Sequence, residues 1–334
     1  MTQRISVGTQ MSATSLTTAQ QCEQLYYWQY VRKLREVAKS QGLSTGPIMH
    51  VGQESYMRGH TLEKALEAME GEAAEEGYDE DPLFNVRNRA YIKGYYAQWE
   101  DADIQLFAEK RYTILGIEEE FAFDYVVDGI GTRFVGKMDA VMRDNVTGEI
   151  VLWEHKNVSN KDASDPSSLY YRLLPMNNQI AIYVSYLEQK YNAPVSVMYD
   201  VVVTSPRTKP GQIKKGIKRR KDETPDEFAV RKAANLETIP QCAERIEQLY
   251  LDDGARFMRQ KIPVMNNQIE SRMNELVQVA IRVDTMDMPI RNTHRCSSYG
   301  GCAFVNSCLG IEDPAASPRF EVKERTHIEL SNKE

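Results

Sequence analysis

The spacing of apolar residues predicts helices in the first third of the chain. Apolar residues recur at helical intervals over residues 22–34 and again in the stretch that follows His60. Between these stretches, the glycines and the proline of residues 42–55 predict a turn that brings His50 close to the start of a helix. Residues 1–18 show no periodicity, and we expect them to form a flexible tail.

The middle of the chain follows the period of β-strands. Strand-like stretches separated by turn signals cover residues 112–127, 132–144 and 149–157. Helical spacing returns after Pro175, and one more apolar strand follows over residues 193–205. The order strand, strand, strand, helix, strand predicts an α/β fold with a mixed β-sheet flanked by helices and a crossover helix on one face.

The last third is predicted to be helical. Thr224 and Glu227 form a capping box with Pro225 at the first helical position, and helical periodicity continues to about Val283 apart from two prolines. We therefore expect a flexible tail over 1–18, an α/β core with N-terminal helices over 19–205, a basic loop over 206–222, a helical part that ends in a cysteine cluster over 223–310, and a polar tail over 311–334.

Composition places the chain among ordinary globular proteins. Hydrophobic residues fill 42% of the 334 positions and charged residues 27%, which excludes disordered, collagen-like and coiled-coil classes. No apolar run is long enough to span a membrane, and the start lacks the apolar core of a signal peptide. We therefore expect a cytoplasmic protein that has no membrane partner.

Positive charge is concentrated in one segment of an otherwise acidic protein. The net charge of −7 argues against a uniformly basic protein that coats DNA, yet residues 205–221 carry eight lysines and arginines and no acid. Such a loop is either simply solvated or contacts nucleic-acid phosphates without reading bases. The candidate phosphate contacts are Lys209, Lys214, Lys215, Lys218, Arg219 and Arg220.

Two carboxylates and a lysine form the strongest chemical pattern. Asp139 lies in the second predicted strand, and Glu154 and Lys156 lie in the third, across one hairpin. Because side chains alternate along a strand, Glu154 and Lys156 face the same way, and the hairpin brings them toward Asp139. Two carboxylates can hold Mg²⁺ or Mn²⁺, which stabilises charge on a phosphate, and a nearby lysine can position or activate the attacking water.

The cysteines form a second pattern. They are too few and too unevenly placed for a secreted disulfide framework. Cys296, Cys302 and Cys308 together with the distant Cys22 supply four thiolates, the number that a [4Fe-4S] cluster or a structural zinc requires. Plain buried cysteines are the third alternative. Cys242 lies among apolar residues at helical spacing, and we expect it in the core.

These residues resemble the PD-(D/E)XK nuclease superfamily. The order of further motifs is similar to its RecB-like exonuclease branch, which carries an iron–sulfur cluster and includes CRISPR-adaptation and phage-type nucleases. The resemblance spans residues 22–308. Gly46 and His50 match a G-x-x-x-H motif ahead of the sheet, and Gln179 and Tyr183 match a Q-x-x-x-Y motif on the helix after the hairpin.

The resemblance implies a role for each matched residue. As metal ligands it implies His50, Asp139, Glu154 and the backbone carbonyl of His155. As catalytic or strand-positioning residues it implies Asp139, Glu154, Lys156, Gln179 and Tyr183. As ligands of a cluster that joins the two ends of the chain it implies Cys22, Cys296, Cys302 and Cys308. Several relatives use C-x-x-C where five residues separate each C-terminal pair here, so the cluster type is left open, with zinc as the alternative.

Other interpretations of the site residues stay open at this point. His60 also precedes a helix and rivals His50 as the third ligand. The three successive acids at 118–120 cannot all face one way along a strand, so they are either a solvated edge or include one residue that supports the metal. The i, i+4 spacing of Gln179 and Tyr183 is also typical of an ordinary amphipathic helix.

The resemblance implies a metal-dependent DNA exonuclease that acts in recombination, repair or CRISPR-type DNA processing. Its substrate would be single-stranded DNA or a duplex with an end. The sequence has no Walker-type phosphate loop, so a helicase or recombination protein would have to come from another chain. Two alternatives are a non-catalytic DNA-binding subunit of a recombination complex and a restriction-type endonuclease.

Overall fold

The fold was analysed in a computed structural model. It describes residues 5–6, 8–37, 41–78, 81–108, 110–204, 210–213, 216–298, 301–324, 326–327 and 330. The strands are β1 Ile5–Ser6, β2 Leu34–Glu36, β3 Tyr112–Val127, β4 Ile130–Asp144, β5 Ile150–Val158, β6 Val195–Val203, β7 Phe257–Ile262 and β8 Phe320–Val322. The α-helices are α1 Ala13–Gln21, α2 Glu23–Tyr26, α3 Gln41–Met57, α4 Leu62–Glu75, α5 Pro82–Ala108, α6 Leu169–Arg172, α7 Asn178–Tyr191, α8 Pro225–Ala233, α9 Ile239–Asp252, α10 Asn266–Asp284, α11 Thr293–Cys296 and α12 Val305–Cys308.

The main sheet is mixed. Strands β3, β4 and β5 are antiparallel neighbours, β6 runs parallel to β5, and β7 closes the other edge antiparallel to β6. The short β1 lies beside the start of β4. Asp128 and Gly129 both have positive φ and form the tight β3–β4 turn, a conformation that Asp-Gly pairs adopt readily. Helix α7 supplies the crossover that a parallel β5–β6 pair requires.

Helices cover both faces of this sheet. On one face, α1, α7 and α10 bury Leu16, Ile180 and Leu276 in a large apolar cluster with the strands. On the other face, α3, α4, α5 and α9 bury a second cluster that includes Ile48 and Ile92. The predicted α/β fold with a mixed sheet flanked by helices is confirmed.

The two ends of the chain pack against each other. Strand β2 pairs antiparallel with β8, and Leu25, Leu34, Phe304 and Phe320 form a small apolar cluster beside this pair. The prediction of a polar tail over 311–334 is therefore wrong for β8. Its buried Phe320 supplied the apolar contact, but one aromatic residue in a polar stretch is too weak a signal to predict a strand.

The predicted flexible tail over 1–18 is also partly wrong. Helix α1 begins at Ala13, and its N-cap Ser12 exchanges side-chain hydrogen bonds with Ser15 in a capping box. Met11 is fully buried and bonds across to strand β4 through the backbone of Arg133 and Val135. The order comes from this tertiary contact, because the segment itself has a weak apolar pattern.

Residues 42–55 do not form the predicted turn. Helix α3 runs through Gly46 and Pro47, so His50 lies in the middle of a helix instead of near a helix start. An interior proline costs a helix about 3 kcal/mol. Ile48 and Met49 are fully buried, and burial of each contributes roughly 1.5–3 kcal/mol, which offsets that cost.

The predicted boundary between an α/β core and a helical C-terminal part does not separate two bodies. Strand β7, within the region predicted to be helical, pairs with β6 in the main sheet. Helix α10 packs in the same apolar cluster as α1 and α7. Strand β7 has six residues whose burial does not alternate, and it lies between two strong helices, which explains why periodicity missed it.

Among the residues that the structure describes, none of the helices is both long and apolar enough to cross a membrane.

Candidate active site

The candidate site lies where strands β4 and β5 separate. Their backbone pairing ends at Ala140 and Trp153. Beyond this pair, the carboxylate of Asp139 takes the place of a backbone carbonyl: its Oδ2 accepts the backbone N–H of His155 at 2.7 Å. Because the ladder is interrupted here, the Asp139 carboxylate lies in the gap between the two strands.

Helix α3 adds a histidine to this carboxylate. The Nδ1 atom of His50 lies 3.2 Å from Asp139 Oδ1. Glu118 on β3 completes the group, since one ligand atom each of His50, Glu118 and Asp139 lies within 4.8 Å of the others. Glu118 has a φ of 54°, a strained backbone conformation for a non-glycine residue, and its carboxylate also pairs with Lys137 at 2.5 Å.

Glu154 lies fully buried beside this group. Its Oε2 accepts hydrogen bonds from Lys156 Nζ at 3.1 Å and from Gln179 Nε2 at 2.8 Å. Its Oε1 is buried and has no hydrogen-bond partner among the residues that the structure describes. Gln179 reaches Glu154 because it stands in the first turn of α7, where the Asn177 side chain caps the helix by accepting the Gln179 backbone N–H.

The pKa values of the two carboxyls Asp139 and Glu154 are shifted in opposite directions. Burial raises the pKa of Asp139, but His50 and Lys156 outweigh it, so this pKa lies below its usual range. Burial raises the pKa of Glu154 to about 8; Lys156 opposes the shift and Asp139 adds to it. The two carboxyls thus carry one negative charge between them near neutral pH in the metal-free protein.

The pKa values of the two basic side chains of the site, Lys156 and His50, are both raised. Burial lowers the pKa of Lys156, but Glu154 and other neighbours raise it above its ordinary value overall. Burial likewise lowers the pKa of His50, and Asp139 outweighs this, so its pKa is raised. Lys156 is therefore an ammonium at neutral pH, and it can hold a hydroxide ion or a phosphate oxygen in place.

The donor set fits a divalent cation. Oxygen ligands suit Mg²⁺ and Mn²⁺, and one imidazole alongside carboxylates suits Mn²⁺ as well. The buried Glu154 Oε1, which has no hydrogen-bond partner among the described residues, leaves one more carboxylate oxygen next to this group for an ion. The residues that could hold the ion are His50, Glu118 and Asp139, with Glu154 adjoining.

The structure also locates the other residues predicted for this site. Tyr183 donates its hydroxyl to the Lys137 carbonyl at 2.9 Å, and its ring packs on Phe121. The His155 side chain points into the protein, 3.5 Å from Asp200. His60 lies apart from the group, and its imidazole contacts Lys64 at 3.0 Å.

The sequence left open whether any of the three acids at 118–120 supports the metal, and the structure brings Glu118 to the site. Its neighbours Ile117 and Glu119 pair with Ala140 and Met138, the residues on either side of Asp139. The Glu119 side chain pairs with Lys190 of α7. Alternation along the strand predicts that neighbours separate in this way. Only the backbone distortion at Glu118 determines which acid joins the site, and no sequence pattern reports that distortion.

The four predicted cluster cysteines lie at the joined ends of the chain. Burial raises the pKa of the Cys302 thiol, and the nearby Cys296 and Cys22 contribute in the same direction. Burial also raises the pKa of Cys308, with smaller contributions from Cys302 and Cys22. In the described part of the chain, no three sulfurs come within 4.8 Å of one another. Cys242 is fully buried in α9, as predicted.

The basic segment leaves the sheet near the same end as Lys156. Strand β6 ends at Val203, and its Val201 pairs with Lys156 in the parallel register. Lys218, Arg219 and Arg220 are exposed. The other three predicted phosphate contacts, Lys209, Lys214 and Lys215, lie outside the described residues.

A buried acid pair, a histidine and a lysine at the split of a mixed sheet define a metal-dependent hydrolase of the phosphodiesterase type. A sequence model of the PD-(D/E)XK nuclease superfamily matches residues 10–309, and the chain therefore belongs to this superfamily. Nucleases of this superfamily hydrolyse phosphodiester bonds with divalent metal ions.

Similar solved structures are distant. The protein SSO0001 is 13% identical, with 92% of this chain and 88% of its own chain covered and a TM-score of 0.36. An exonuclease candidate from Eubacterium rectale is 12% identical, with 84% of each chain covered and a TM-score of 0.44. The search of curated proteins returned no match.

We predict that proton release accompanies metal binding through Glu154. With a pKa of about 8, Glu154 is mostly protonated at pH 6 and must lose its proton to bind a cation. Mn²⁺ affinity should therefore rise with pH up to about pH 8, by as much as tenfold per unit from this group. Calorimetry in buffers of different ionisation enthalpy measures the protons released. Glu154→Gln should release up to one proton fewer, and an equal count in both proteins would refute the role of Glu154.

Proposed function

We propose that the protein is a metal-dependent deoxyribonuclease that degrades DNA from an end. One observation carries the proposal: the cluster of His50, Glu118 and Asp139 lies beside a buried, unpartnered oxygen of Glu154. Buried carboxylates and an imidazole gathered in one pocket are a donor set that suits a divalent cation. The family resemblance to exonucleases supports attack from an end, and the basic segment supports nucleic acid as the substrate.

Each residue has a proposed part in the reaction. His50, Glu118, Asp139 and Glu154 would hold Mg²⁺ or Mn²⁺, with the His155 carbonyl as a further ligand. The bound ion would stabilise charge on the phosphate and lower the pKa of its water. The Lys156 ammonium, 3.1 Å from Glu154, holds the attacking water against the phosphate. Gln179 fixes the Glu154 carboxylate, and Tyr183 holds the Lys137 carbonyl next to the site.

Digestion of end-labelled DNA tests this proposal. Linear single-stranded DNA, linear duplex and a closed circle are incubated with Mn²⁺, Mg²⁺ or a chelator, and wild type is compared with Lys156→Ala. We expect loss of linear DNA only, dependent on metal and abolished by the substitution. Discrete fragments from the circle would indicate a restriction-type endonuclease. DNA binding without any cleavage would indicate a non-catalytic subunit of a recombination complex, and either result would overturn the proposal.

We further propose that the basic segment binds the DNA backbone. Replacing Lys218, Arg219 and Arg220 together with glutamine should weaken DNA binding at least tenfold at low salt. Each lost phosphate contact lowers the slope of log affinity against log salt by up to about 0.9 for duplex DNA. Fluorescence anisotropy across a salt series measures both quantities.

A charge-matched control separates local contact from net charge. Replacing Arg32, Lys33 and Lys323, which flank the small β2–β8 sheet, with glutamine removes the same charge from another part of the protein. This control should leave the salt slope unchanged. Equal losses in both triple variants would mean that overall charge, not this segment, sets the affinity.

We also propose that Cys22, Cys296, Cys302 and Cys308 hold a metal cluster that joins the ends of the chain. A zinc ion bonded to each sulfur at about 2.3 Å requires sulfurs roughly 4 Å apart, closer than the arrangement here. In a [4Fe-4S] cluster, irons and sulfides lie between the cysteine sulfurs, so these sulfurs are farther apart than in a zinc site. We therefore propose the iron–sulfur cluster ahead of zinc, as expected for the RecB-like branch.

Anaerobic purification tests the cluster. The wild-type protein should be brown, with about four irons per chain. Cys22→Ser should lose the colour and the iron and lower the melting temperature, whereas Cys242→Ser, at a buried cysteine distant from the proposed cluster, should keep both colour and iron. A colourless wild-type protein that binds one zinc ion would refute the cluster without affecting the proposed nuclease site.

A further inference from the structure

A second cluster of charged residues lies buried behind the candidate site. It consists of Asp200 on β6, Arg259 on β7 and Asp103 on α5, and we call it the buried charge cluster. Asp200 is fully buried, and the Arg259 and Asp103 side chains are nearly so. None of the three reaches the proposed metal ligands' side chains through a direct hydrogen bond, so the proposed reaction does not use them.

Asp200 accepts hydrogen bonds from helix α5 and from strands β5 and β7. Its Oδ2 accepts hydrogen bonds from Tyr95 at 2.5 Å, Trp153 Nε1 at 3.1 Å and Arg259 Nε at 3.0 Å. The His155 Nδ1 atom lies 3.5 Å from the same oxygen. One carboxylate thus holds the strand β5 residues on either side of Glu154.

Arg259 connects this carboxylate to the helices that cover the sheet. Its second nitrogen donates to Asp103 Oδ1 at 2.6 Å. Tyr56 donates its hydroxyl to the other oxygen of Asp103, also at 2.6 Å. Tyr56 lies on α3, the helix that carries His50. The hydrogen-bonded chain therefore runs from strand β5 through Asp200, Arg259 and Asp103 to helix α3.

The surroundings make these contacts rigid. The Arg259 guanidinium stacks over the rings of Trp99 and Trp153 at 4.1 and 4.8 Å, which leaves little freedom to rotate. Burial raises the pKa of Asp200, but Arg259 outweighs it and holds this pKa below its usual range. Both buried carboxylates share one guanidinium, so removal of Arg259 leaves charges in the interior without a partner.

We propose that the buried charge cluster sets the position of helix α3 relative to strand β5 and thereby the metal affinity of the site. The cation would be held by His50 from α3 together with carboxylates from the sheet. Small errors in ligand position weaken metal binding, and hydrogen-bonded partners behind the ligands usually prevent them. Arg259, Asp103 and Tyr56 are positioning residues in this proposal, which rests on the proposed metal site.

Tyr56→Phe is the mildest test, because it removes only the link to α3. We expect the Mn²⁺ dissociation constant to rise about threefold to tenfold, with the rate at saturating Mn²⁺ close to that of wild type. Tyr250→Phe is the matched control, since it removes another buried hydroxyl bond, to the Val203 carbonyl at 3.2 Å, without touching α3. Calorimetry or the electron paramagnetic resonance signal of free Mn²⁺ measures affinity without any need for activity.

Arg259→Met tests the centre of the cluster. We expect Mn²⁺ binding to weaken by more than tenfold in the folded protein. Arg259→Lys should restore it only in part, because one ammonium cannot span both carboxylates. The control Lys261→Met removes a cation two residues along the same strand, where it forms an exposed pair with Glu149, and should leave Mn²⁺ affinity unchanged.

The possible outcomes separate positioning from plain stability. A lower melting temperature with an unchanged Mn²⁺ dissociation constant in both Tyr56→Phe and Arg259→Met would overturn the inference. A wild-type protein that binds no Mn²⁺ would instead overturn the proposed function. Weaker Mn²⁺ binding in the two variants, with normal binding in the two controls, supports the inference even if the DNA substrate has been chosen wrongly.

Discussion

Asp139→Asn is expected to reduce metal-dependent cleavage by at least about a thousandfold while the protein stays folded. The carboxylate lies at the centre of the site, 3.2 Å from His50 and bonded to the His155 backbone. An asparagine amide has the same shape and can still accept the His155 N–H through its oxygen. It cannot supply the negative charge that a divalent cation needs, so the expected loss is one of metal binding and rate.

A second carboxylate on the same hairpin provides the control. Asp124 lies exposed on β3 and pairs with Arg133 at 3.2 Å. Asp124→Asn removes one charge without approaching the site and should keep cleavage within about twofold of wild type. Circular dichroism and the unfolding midpoint check that both variants fold. Full cleavage by a well-folded Asp139→Asn protein would mean that the reaction takes place elsewhere in the chain.

Gly94→Ala is expected to destabilise the protein by about 2–3 kcal/mol. Gly94 lies on α5 where α9 approaches closely. A methyl group at this position would meet the Tyr250 backbone carbonyl oxygen at 2.7 Å and the Phe257 ring at 2.6 Å. A backbone atom cannot move aside without shifting α9, so the helices must separate and lose apolar contact. Urea or guanidinium unfolding measures the change in the free energy of unfolding.

Gly71→Ala is the matched control for this effect. Gly71 lies in helix α4, and a methyl group there meets no atom within 4 Å. Alanine is the better helix former, so this variant should be more stable than wild type by roughly 0.5–1 kcal/mol. The two glycine-to-alanine substitutions should therefore change the free energy of unfolding in opposite directions. Equal effects at both positions would mean that the close approach of α5 and α9 does not constrain the fold.

Strong local patterns made much of the fold predictable. The apolar runs of β4 and β5 and the helical spacing of α7 each reflect burial in the apolar layers of the fold. One-sided burial of α7 gives a helical period, and burial of β4 and β5 on both faces gives short apolar runs bounded by turn residues. Helix α3 escaped prediction because Gly46 and Pro47 are helix breakers, and only the burial of Ile48 and Met49 overrides them.

The candidate site was partly predictable for a similar reason. Asp139, Glu154 and Lys156 lie on one hairpin, so their proximity follows from strand pairing alone. His50 was identified by its motif, and its contact with Asp139 at 3.2 Å depends on how α3 packs on the sheet. The choice of Glu118 among three neighbouring acids depends on a strained backbone, which no residue spacing encodes.

The sequence by itself determined the α/β class, the succession of β3, β4, β5, α7 and β6 along the chain, and the hairpin that carries the carboxylates and the lysine, because local periodicity and turn chemistry are properties of short segments. Tertiary structure alone decided the remainder. It placed β7 in the sheet, joined β2 to β8, and connected Tyr56 to Asp200 through Asp103 and Arg259. These contacts join residues far apart in the chain, and their stability comes from burial and charge that exist only after the layers have packed.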